Sequence, residues 1–174
     1  MQLYLEGVCV NSRQLYSSLL SSSQFKEWKK KHGETYLSHF FCSLRRDFTP
    51  KSNWEIGFFN KMNAKITVFV NVEKGFIEKP EDEVFSKEAP HIDKLEVSTM
   101  KFDFDGALMI YKDKAPVFFS NQPLGDGFVI LQNKNGMPLW TFTFVSQTLQ
   151  FCTMAINAKT GEIVSHDIVN VVQK

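Results

Sequence analysis

The chain has few of the features that announce a biochemical activity. Its 174 residues include only three cysteines, Cys9, Cys42 and Cys152, and none forms a Cys-x-x-Cys pair or a zinc-like spacing. Each lies among apolar residues, which is typical of small buried thiols and favours a reducing compartment. We therefore predict a cytoplasmic location, with an extracytoplasmic one as the alternative if a signal peptide is removed from the mature protein.

An excess of charge of one sign is also lacking. The 20 basic and 19 acidic residues leave a formal net charge of +1, whereas a nucleic-acid-binding domain usually carries a clear basic excess. The most basic stretch, Lys29–His32, is interpreted as the solvated C-terminal end of a helix. No apolar run approaches the roughly 18 residues of a membrane span. We predict neither a nucleic-acid partner nor a membrane span.

Motifs of catalysis and metal binding are missing as well. The sequence has no Gly-x-Ser-x-Gly, no P-loop and no dinucleotide-binding glycine motif. The histidines are scattered, and a cluster of His39 and His166 with a carboxylate is the alternative to four isolated side chains. The full set is His32, His39, His91 and His166. We predict a non-enzyme with no catalytic residues, no metal site and no cofactor.

Asp103 and Asp105 are the one pair of carboxylates at a suggestive spacing. Two residues apart on an extended segment, they would face the same side and could act together in acid–base chemistry. Capping of the helix that follows is the simpler interpretation, because an aspartate before a helix accepts hydrogen bonds from its first N–H groups. We expect the capping role.

What the sequence does contain is an excess of aromatic residues, with 17 phenylalanines, which favours β-sheet. Periodicity predicts a helix over 12–33, split near Ser21–Ser23, and a second helix over 106–114 that Pro116 ends. Apolar alternation between turn residues predicts strands over 2–10, 35–44, 54–59, 65–72, 127–132, 138–145, 149–157 and 162–172. The fold class is therefore α+β.

The two halves of the chain resemble each other. A shift of 86 positions gives six identities over the 24 positions from Trp54 to Ile77, without a gap. The identical pairs are Trp54/Trp140, Phe58/Phe144, Thr67/Thr153, Asn71/Asn157, Gly75/Gly161 and Ile77/Ile163. We interpret the tryptophans as core anchors, with an aromatic ligand platform as the alternative, and the glycines as turn residues.

This repeat predicts two modules, each a helix packed on a curved antiparallel sheet. Module 1 spans residues 1–78 and module 2 spans residues 94–174. Residues 79–93 between them are acidic and contain prolines, so we interpret them as a linker, with an acidic recognition arm as the alternative.

The end of each module carries a short pattern of a known family. The stretch "NAKTGEI", Asn157–Ile163, is an apolar strand end followed by a glycine turn, and Asn71–Ile77 repeats it more loosely. Together with the helix start "FDFDGALMIY", this resembles the PepSY and PepSY-like family, although Asn157 and Asn71 replace the commoner aspartate. The resemblance covers roughly 94–172 directly and 12–78 through the repeat.

The resemblance implies a helix cradled by an antiparallel sheet, and a protein that binds, inhibits or regulates without catalysis. We therefore expect a binding or regulatory module for a peptide or protein partner, with a free sheet edge. One alternative is a small-molecule binder or enzyme, which would have a cavity lined by Phe and Trp and a polar group of shifted pKa. Another is an assembly domain that forms a homodimer through its sheet. No binding residue is predicted.

Overall fold

The aromatic segments of the sequence form β-strands of one sheet, with the helices packed against it. The structure is a computed structural model that describes residues 11–80, 82–83 and 92–170. The described helices are α1 (Ser12–Ser21), α2 (Ser23–Lys31) and α3 (Phe104–Phe118), with a 3₁₀ turn at Val97–Thr99. The described strands are β1 (Thr35–Leu44), β2 (Glu55–Asn60), β3 (Lys65–Val72), β4 (Gly75–Glu78), β5 (Asp82–Glu83), β6 (Leu124–Lys134), β7 (Met137–Ser146), β8 (Gln150–Asn157) and β9 (Ile163–Asn170).

All the strand pairs are antiparallel, and the two halves of the chain share the sheet. The order is β4-β3-β2-β1-β6-β7-β8-β9, with β5 paired to β3 beside β4. Most neighbours are hairpin partners, as is common in antiparallel sheets. The exception is the central pair, where β1 from the first half meets β6 from the second, with Phe41 opposite Ile130. The sequence predicts an antiparallel sheet in each module and leaves open whether the two modules share one; in the structure the strands of both halves lie in one sheet.

One face of the sheet is a continuous apolar core. Residues directly opposite each other on antiparallel strands point to the same face, so the pairing register defines rows of side chains across the sheet. The row through the centre has no exposed surface at any of its positions, and it consists of Phe69, Ile56, Phe40, Leu131, Trp140 and Ile156. Each such side chain contributes roughly 1.5–3 kcal/mol by burial.

The helices cover this face in two groups. Phe25 and Trp28 of α2 pack on Phe58 of β2 at ring-centroid distances of 4.8 and 5.6 Å. In the second half, Tyr111 of α3 packs on Phe142 of β7 at 4.9 Å. Between the groups Trp54 and Trp140 meet at 6.2 Å, and Phe104 of α3 touches both. One core therefore joins both halves.

Polar caps fix where the helices begin. Asn11 Oδ1 accepts from the backbone N–H of Gln14 to start α1, and Ser22 Oγ accepts from Phe25 N to start α2. Asp103 starts α3, because its Oδ1 accepts from Phe104 N. Its Oδ2 accepts from Ser12 N across 91 residues of sequence, which ties the start of α1 to the start of α3. The predicted split of the first helix and the capping role of Asp103 are confirmed.

The predicted end of the second helix is wrong, and several other predicted segments lie outside the described residues. Pro116 does not end α3, which continues to Phe118, and Phe119 N still donates to Ala115 O. A proline removes its own N–H and crowds the carbonyl four residues earlier, but Pro116 lies in the exposed last turn, where only the end of the helix is affected. The strand predicted over 2–10 lies outside the described residues, as does most of the predicted linker, whose residues 82–83 form β5. The module boundaries stay a prediction.

Within the described residues, no helix is both long enough and apolar enough to cross a membrane.

Candidate functional site

A cavity lies on the face of the sheet opposite the helices. Its volume is about 370 Å³, and it reaches from Ile66 of β3 across β1 to the end of the β6–β7 hairpin. The lining combines two isoleucines with polar side chains from four segments, and its residues are Ser38, His39, Ile66, Ile92, Asp93, Gln132, Asn133, Lys134 and Asn135. The volume falls within the range of small-ligand sites, and the lining is more polar than is usual for them.

His39 lies at the centre of the cavity because of two features of the local backbone. A β-bulge in β1 between Leu37 and His39 places Ser38 in the buried lining of the cavity. Ser38 Oγ hydrogen-bonds His39 Nδ1 at 2.9 Å. Opposite His39 on β2 is Gly57, and the imidazole lies over it: a Cβ at Gly57 would come within 2.1 Å of His39 Cε1. Glycine at this position therefore makes room for the ring.

Burial sets the charge of this histidine. Desolvation lowers the pKa of His39 below its ordinary value, and the nearby carboxylate of Glu55 offsets only part of that effect. Glu55 is itself paired with Lys79 Nζ at 2.6 Å, which weakens its hold on a second cation. The imidazole is therefore neutral at pH 7, with Nδ1 engaged by Ser38 and Nε2 unpartnered in the part of the chain that the structure describes.

The segment 92–95 forms a fixed wall of the cavity. Tyr36 Oη donates to Ile92 O at 2.6 Å, and Leu95 N donates to Leu37 O at 2.9 Å, at the bulge. Asp93 Oδ2 accepts from Asn135 N at 2.8 Å at the tip of the β6–β7 hairpin. These bonds hold the wall from both sides, so the cavity is preformed.

Two polar groups of the cavity lining have no partner among the described residues. They are Nε2 of His39 and the side-chain amide of Gln132, which lies directly opposite His39. The side chain of Asn133 points to the other face of β6, where its Nδ2 donates to Lys94 O at 2.8 Å and its Oδ1 is buried. A ligand that hydrogen-bonds His39 and Gln132 therefore gains contacts that the described protein groups do not supply.

A second candidate site is the free edge of the sheet at β9. In the described part of the chain β9 pairs with β8 alone, and seven of its eight residues are exposed. Its sequence, "IVSHDIVN", contains no lysine, arginine or proline, the residues that usually protect an edge from pairing. Val164, Ile168 and Val169 are 45%, 43% and 53% exposed.

The opposite edge is closed, in contrast. β4 has only four residues, and charged residues flank it on both sides. The side-chain amide of Gln24, on α2, takes the place of a neighbouring strand. In the amide orientation that satisfies both backbone groups, its nitrogen donates to Phe76 O and its oxygen accepts from Glu78 N at 3.1 Å. The sheet is therefore open to a further strand at β9 and protected at β4.

The structure separates the histidines predicted as a possible cluster. His39 lies on the face away from the helices, whereas His166 of β9 stacks on Phe118 of α3 at 3.9 Å between ring centroids. Three strands, β6, β7 and β8, lie between them. His32 stacks on Trp28, and His91 lies outside the described residues. Among residues 11–80, 82–83 and 92–170, no three His, Cys, Asp or Glu side chains are grouped as a metal site would require.

Other predicted residues have structural roles. Trp54 and Trp140 are 5% and 0% exposed, so they are core anchors and the ligand-platform alternative is wrong. Gly75 and Gly161 have φ of +112° and +79°, which confirms their role in turns. The described thiols, those of Cys42 and Cys152, are free and buried, and burial raises the pKa of each.

The basic stretch Lys29–His32 matches its interpretation. Lys29–Lys31 form the exposed last turn of α2, and His32 follows as its C-cap. Lys29 Nζ donates to Gly33 O at 3.3 Å, so the charge lies at the helix C-terminus, where the helix dipole favours it.

Reasoning from the sequence missed Ser38, Gln132 and Asn133 altogether. One signal pointed to the cavity: Gly57 interrupts an otherwise aromatic strand, and a glycine inside a strand often marks a close approach by another group. The bulge that places His39 over it leaves no mark in the alternation of residues 35–44.

No protein-family model matches the chain, and no curated protein matches it at a significant level. Among solved structures, the chain is similar to a crystal structure of a protein from Clostridium difficile 630 described as a "putative lipoprotein". The alignment covers 83% of this chain and 90% of that chain, with a TM-score of 0.51 and 9% sequence identity. At that identity the likeness concerns the fold alone.

Proposed function

We propose that the protein is a non-catalytic binding module that takes an extended segment of a protein or peptide partner along the free edge of β9. The observation that carries this proposal is the contrast between the two edges. β9 has eight residues, four of them aliphatic, and its outer edge pairs with no described strand, whereas β4 is short, flanked by charges and closed by Gln24. An added strand would complete the backbone hydrogen bonds of β9.

The side chains around the edge define what the partner presents. Ile168 shares the helix-covered face with Cys152, its neighbour on β8, and Val169 shares the opposite face with Phe151. Because side chains alternate along a strand, a partner strand meets apolar surface on both faces of the sheet. Asp167 is the one carboxylate of β9, which adds a single negative position. The partner segment is therefore apolar at successive positions and not acidic opposite Asp167.

Two further points support a binding role. The resemblance to the PepSY family implies binding or regulation without catalysis, and the mirrored strand order about β1 and β6 is the arrangement that two repeated modules would produce by pairing their first strands. The lipoprotein description of the structural neighbour favours the extracytoplasmic alternative for the compartment. The cytoplasmic location inferred from the cysteines stays a prediction.

The proposal is tested by photo-crosslinking in the protein's own host, with a photoreactive amino acid placed at Ser165 on the edge. A second variant, Val169→Lys, places a charge on the edge, and Ile77→Lys on β4 is the matched control, since Ile77 and Val169 are 55% and 53% exposed. We expect a crosslinked partner whose yield falls about tenfold with Val169→Lys, because the burial of the valine side chain by the partner is lost. The yield should be unchanged with Ile77→Lys.

Equal effects of the two lysines would refute the β9 site, as would the absence of a crosslinked protein. A crosslink to a second copy of the same chain would replace the proposal with the homodimer alternative. Crosslinked segments identified by mass spectrometry also reveal whether the partner binds through an extended apolar stretch, and a crosslink to a folded helical surface would contradict strand addition.

A further inference from the structure

We propose that the cavity beside His39 is a binding site for a small neutral molecule that carries a carboxamide group. The proposal is independent of the β9 edge, because the cavity lies over β1, β3 and the β6–β7 hairpin, at the centre of the sheet. Either site can therefore fail in experiment without affecting the other.

The hydrogen-bonding groups of the cavity select the ligand. His39 Nε2 and the Gln132 amide lie opposite each other on neighbouring strands without a described partner, so a ligand in the cavity must hydrogen-bond both. The Gln132 amide offers both a donor and an acceptor, and a second carboxamide pairs with such a group through two adjacent hydrogen bonds. His39 Nε2 adds a third polar contact from the neighbouring strand. A carboxamide has the N–H groups and the carbonyl oxygen in the adjacent positions that this set requires.

The charges around the cavity exclude an ionic ligand. Asp93 and Lys134 contribute opposite charges, and the Asp93 carboxylate already accepts from Asn135 N. The remaining polar lining, including the imidazole of His39, is neutral, because burial lowers the pKa of His39. Lys134 is exposed, so water solvates its ammonium group. An ion in the cavity would therefore lose its hydration without gaining a buried counter-charge, which is unfavourable.

The size and walls of the cavity limit the rest of the molecule. A volume of about 370 Å³ lies at the lower end of the range for small-ligand sites. Ile66 and Ile92 face the ligand with apolar surface, so a short aliphatic group beside the carboxamide is accommodated. Because Tyr36 and Leu37 hold the segment 92–95 in place, binding requires little rearrangement.

The test is an NMR titration of the whole protein with acetamide and N-methylacetamide, read from the ¹³Cε1–¹Hε1 signals of its histidines. We expect a saturable shift of the His39 signal and no saturable shift of His166, which lies on β9 and serves as the internal reference. Tighter binding of acetamide identifies a primary amide as the natural group, and tighter binding of N-methylacetamide identifies a peptide bond.

Two variants connect the binding to the cavity. Gln132→Leu and Gln132→Val each remove the amide group, and each should weaken acetamide binding about tenfold. Gln150→Leu is the matched control, since Gln150 is also a half-buried strand glutamine but lies on β8, away from the cavity. Two different replacements of Gln132 cover the case in which one variant fails to fold, which amide-proton dispersion reveals.

Three results would overturn the proposal. The first is a His39 shift that grows linearly with acetamide or equals the shift of His166. The second is a loss of binding in Gln150→Leu as large as in Gln132→Leu. The third is tighter binding of acetate or methylammonium than of either amide, because that would show that charge governs the cavity.

Discussion

Replacing Gly161 by alanine tests the packing of the last turn against the start of α3. Gly161 has φ of +79°, and a Cβ built on it lies 2.8 and 2.9 Å from the ring atoms Cζ and Cε2 of Phe102. The Phe102 ring is confined on another side as well, since a Cβ on Gly106 of α3 would lie 3.3 Å from it. The ring has little room to move away, so the added methyl group overpacks the site.

Gly136 supplies a control of the same backbone conformation. Its φ is +78°, and a Cβ there meets nothing within 4 Å. Gly136→Ala should therefore cost only the strain of a side chain in the left-handed region, about 1–2 kcal/mol. Gly161→Ala should cost the same strain plus about 1–3 kcal/mol of overpacking.

Urea unfolding followed by circular dichroism measures both free energies, provided that the two variants share one m-value. Shortening the ring in the double variant Phe102→Leu/Gly161→Ala should recover part of the additional loss, as a double-mutant cycle would show. Equal losses for Gly161→Ala and Gly136→Ala, within about 0.5 kcal/mol, would refute the tight contact between the turn and Phe102.

The remaining predictions concern Trp140 and His39. Trp140→Phe should destabilise the protein by about 1–2 kcal/mol more than Trp54→Phe. The reason is that Trp140 Nε1 donates to Phe102 O at 3.0 Å, whereas the buried Trp54 Nε1 has no partner among the described residues. Equal losses of the free energy of unfolding in urea would contradict this. Burial lowers the pKa of His39 in the folded protein, so the unfolded chain binds the proton more readily. The wild type should therefore lose stability relative to His39→Gln as the pH falls below 6.5, the ordinary pKa of histidine. Urea midpoints at pH 7.5 and 5.5 measure this loss, with His166→Gln as the control, and a difference that is the same at both pH values would contradict it.

The strands were largely predictable, and their arrangement was not. Segments such as Lys65–Val72 alternate apolar and polar residues between clear turn signals, so local chemistry alone defines them. The pairing of β1 with β6 depends on which edges remain open after each half forms its hairpins, and no local pattern records that. The predicted repeat aligns Trp54 with Trp140 but does not indicate that they meet in one core.

The candidate sites illustrate the same limit. The turn glycines and the cap at Asp103 were found because each requirement is local to a few residues. The cavity combines a bulge, a glycine on the next strand and the tip of a distant hairpin, so it exists only after the sheet has formed. Ser38 and Gln132 are ordinary polar residues in the sequence, and only their position beside His39 gives them a role.

The central pair of strands also determines how this chain reaches its fold. Every other pair of long strands is a hairpin that closes over a short connection, whereas β1 and β6 join positions as distant as His39 and Gln132. Forming that pair closes the longest loop between strands in the described sheet and carries the largest loss of chain entropy. Because folding slows as contacts become more distant in sequence, we expect docking of β1 on β6 to be the step that limits the folding rate.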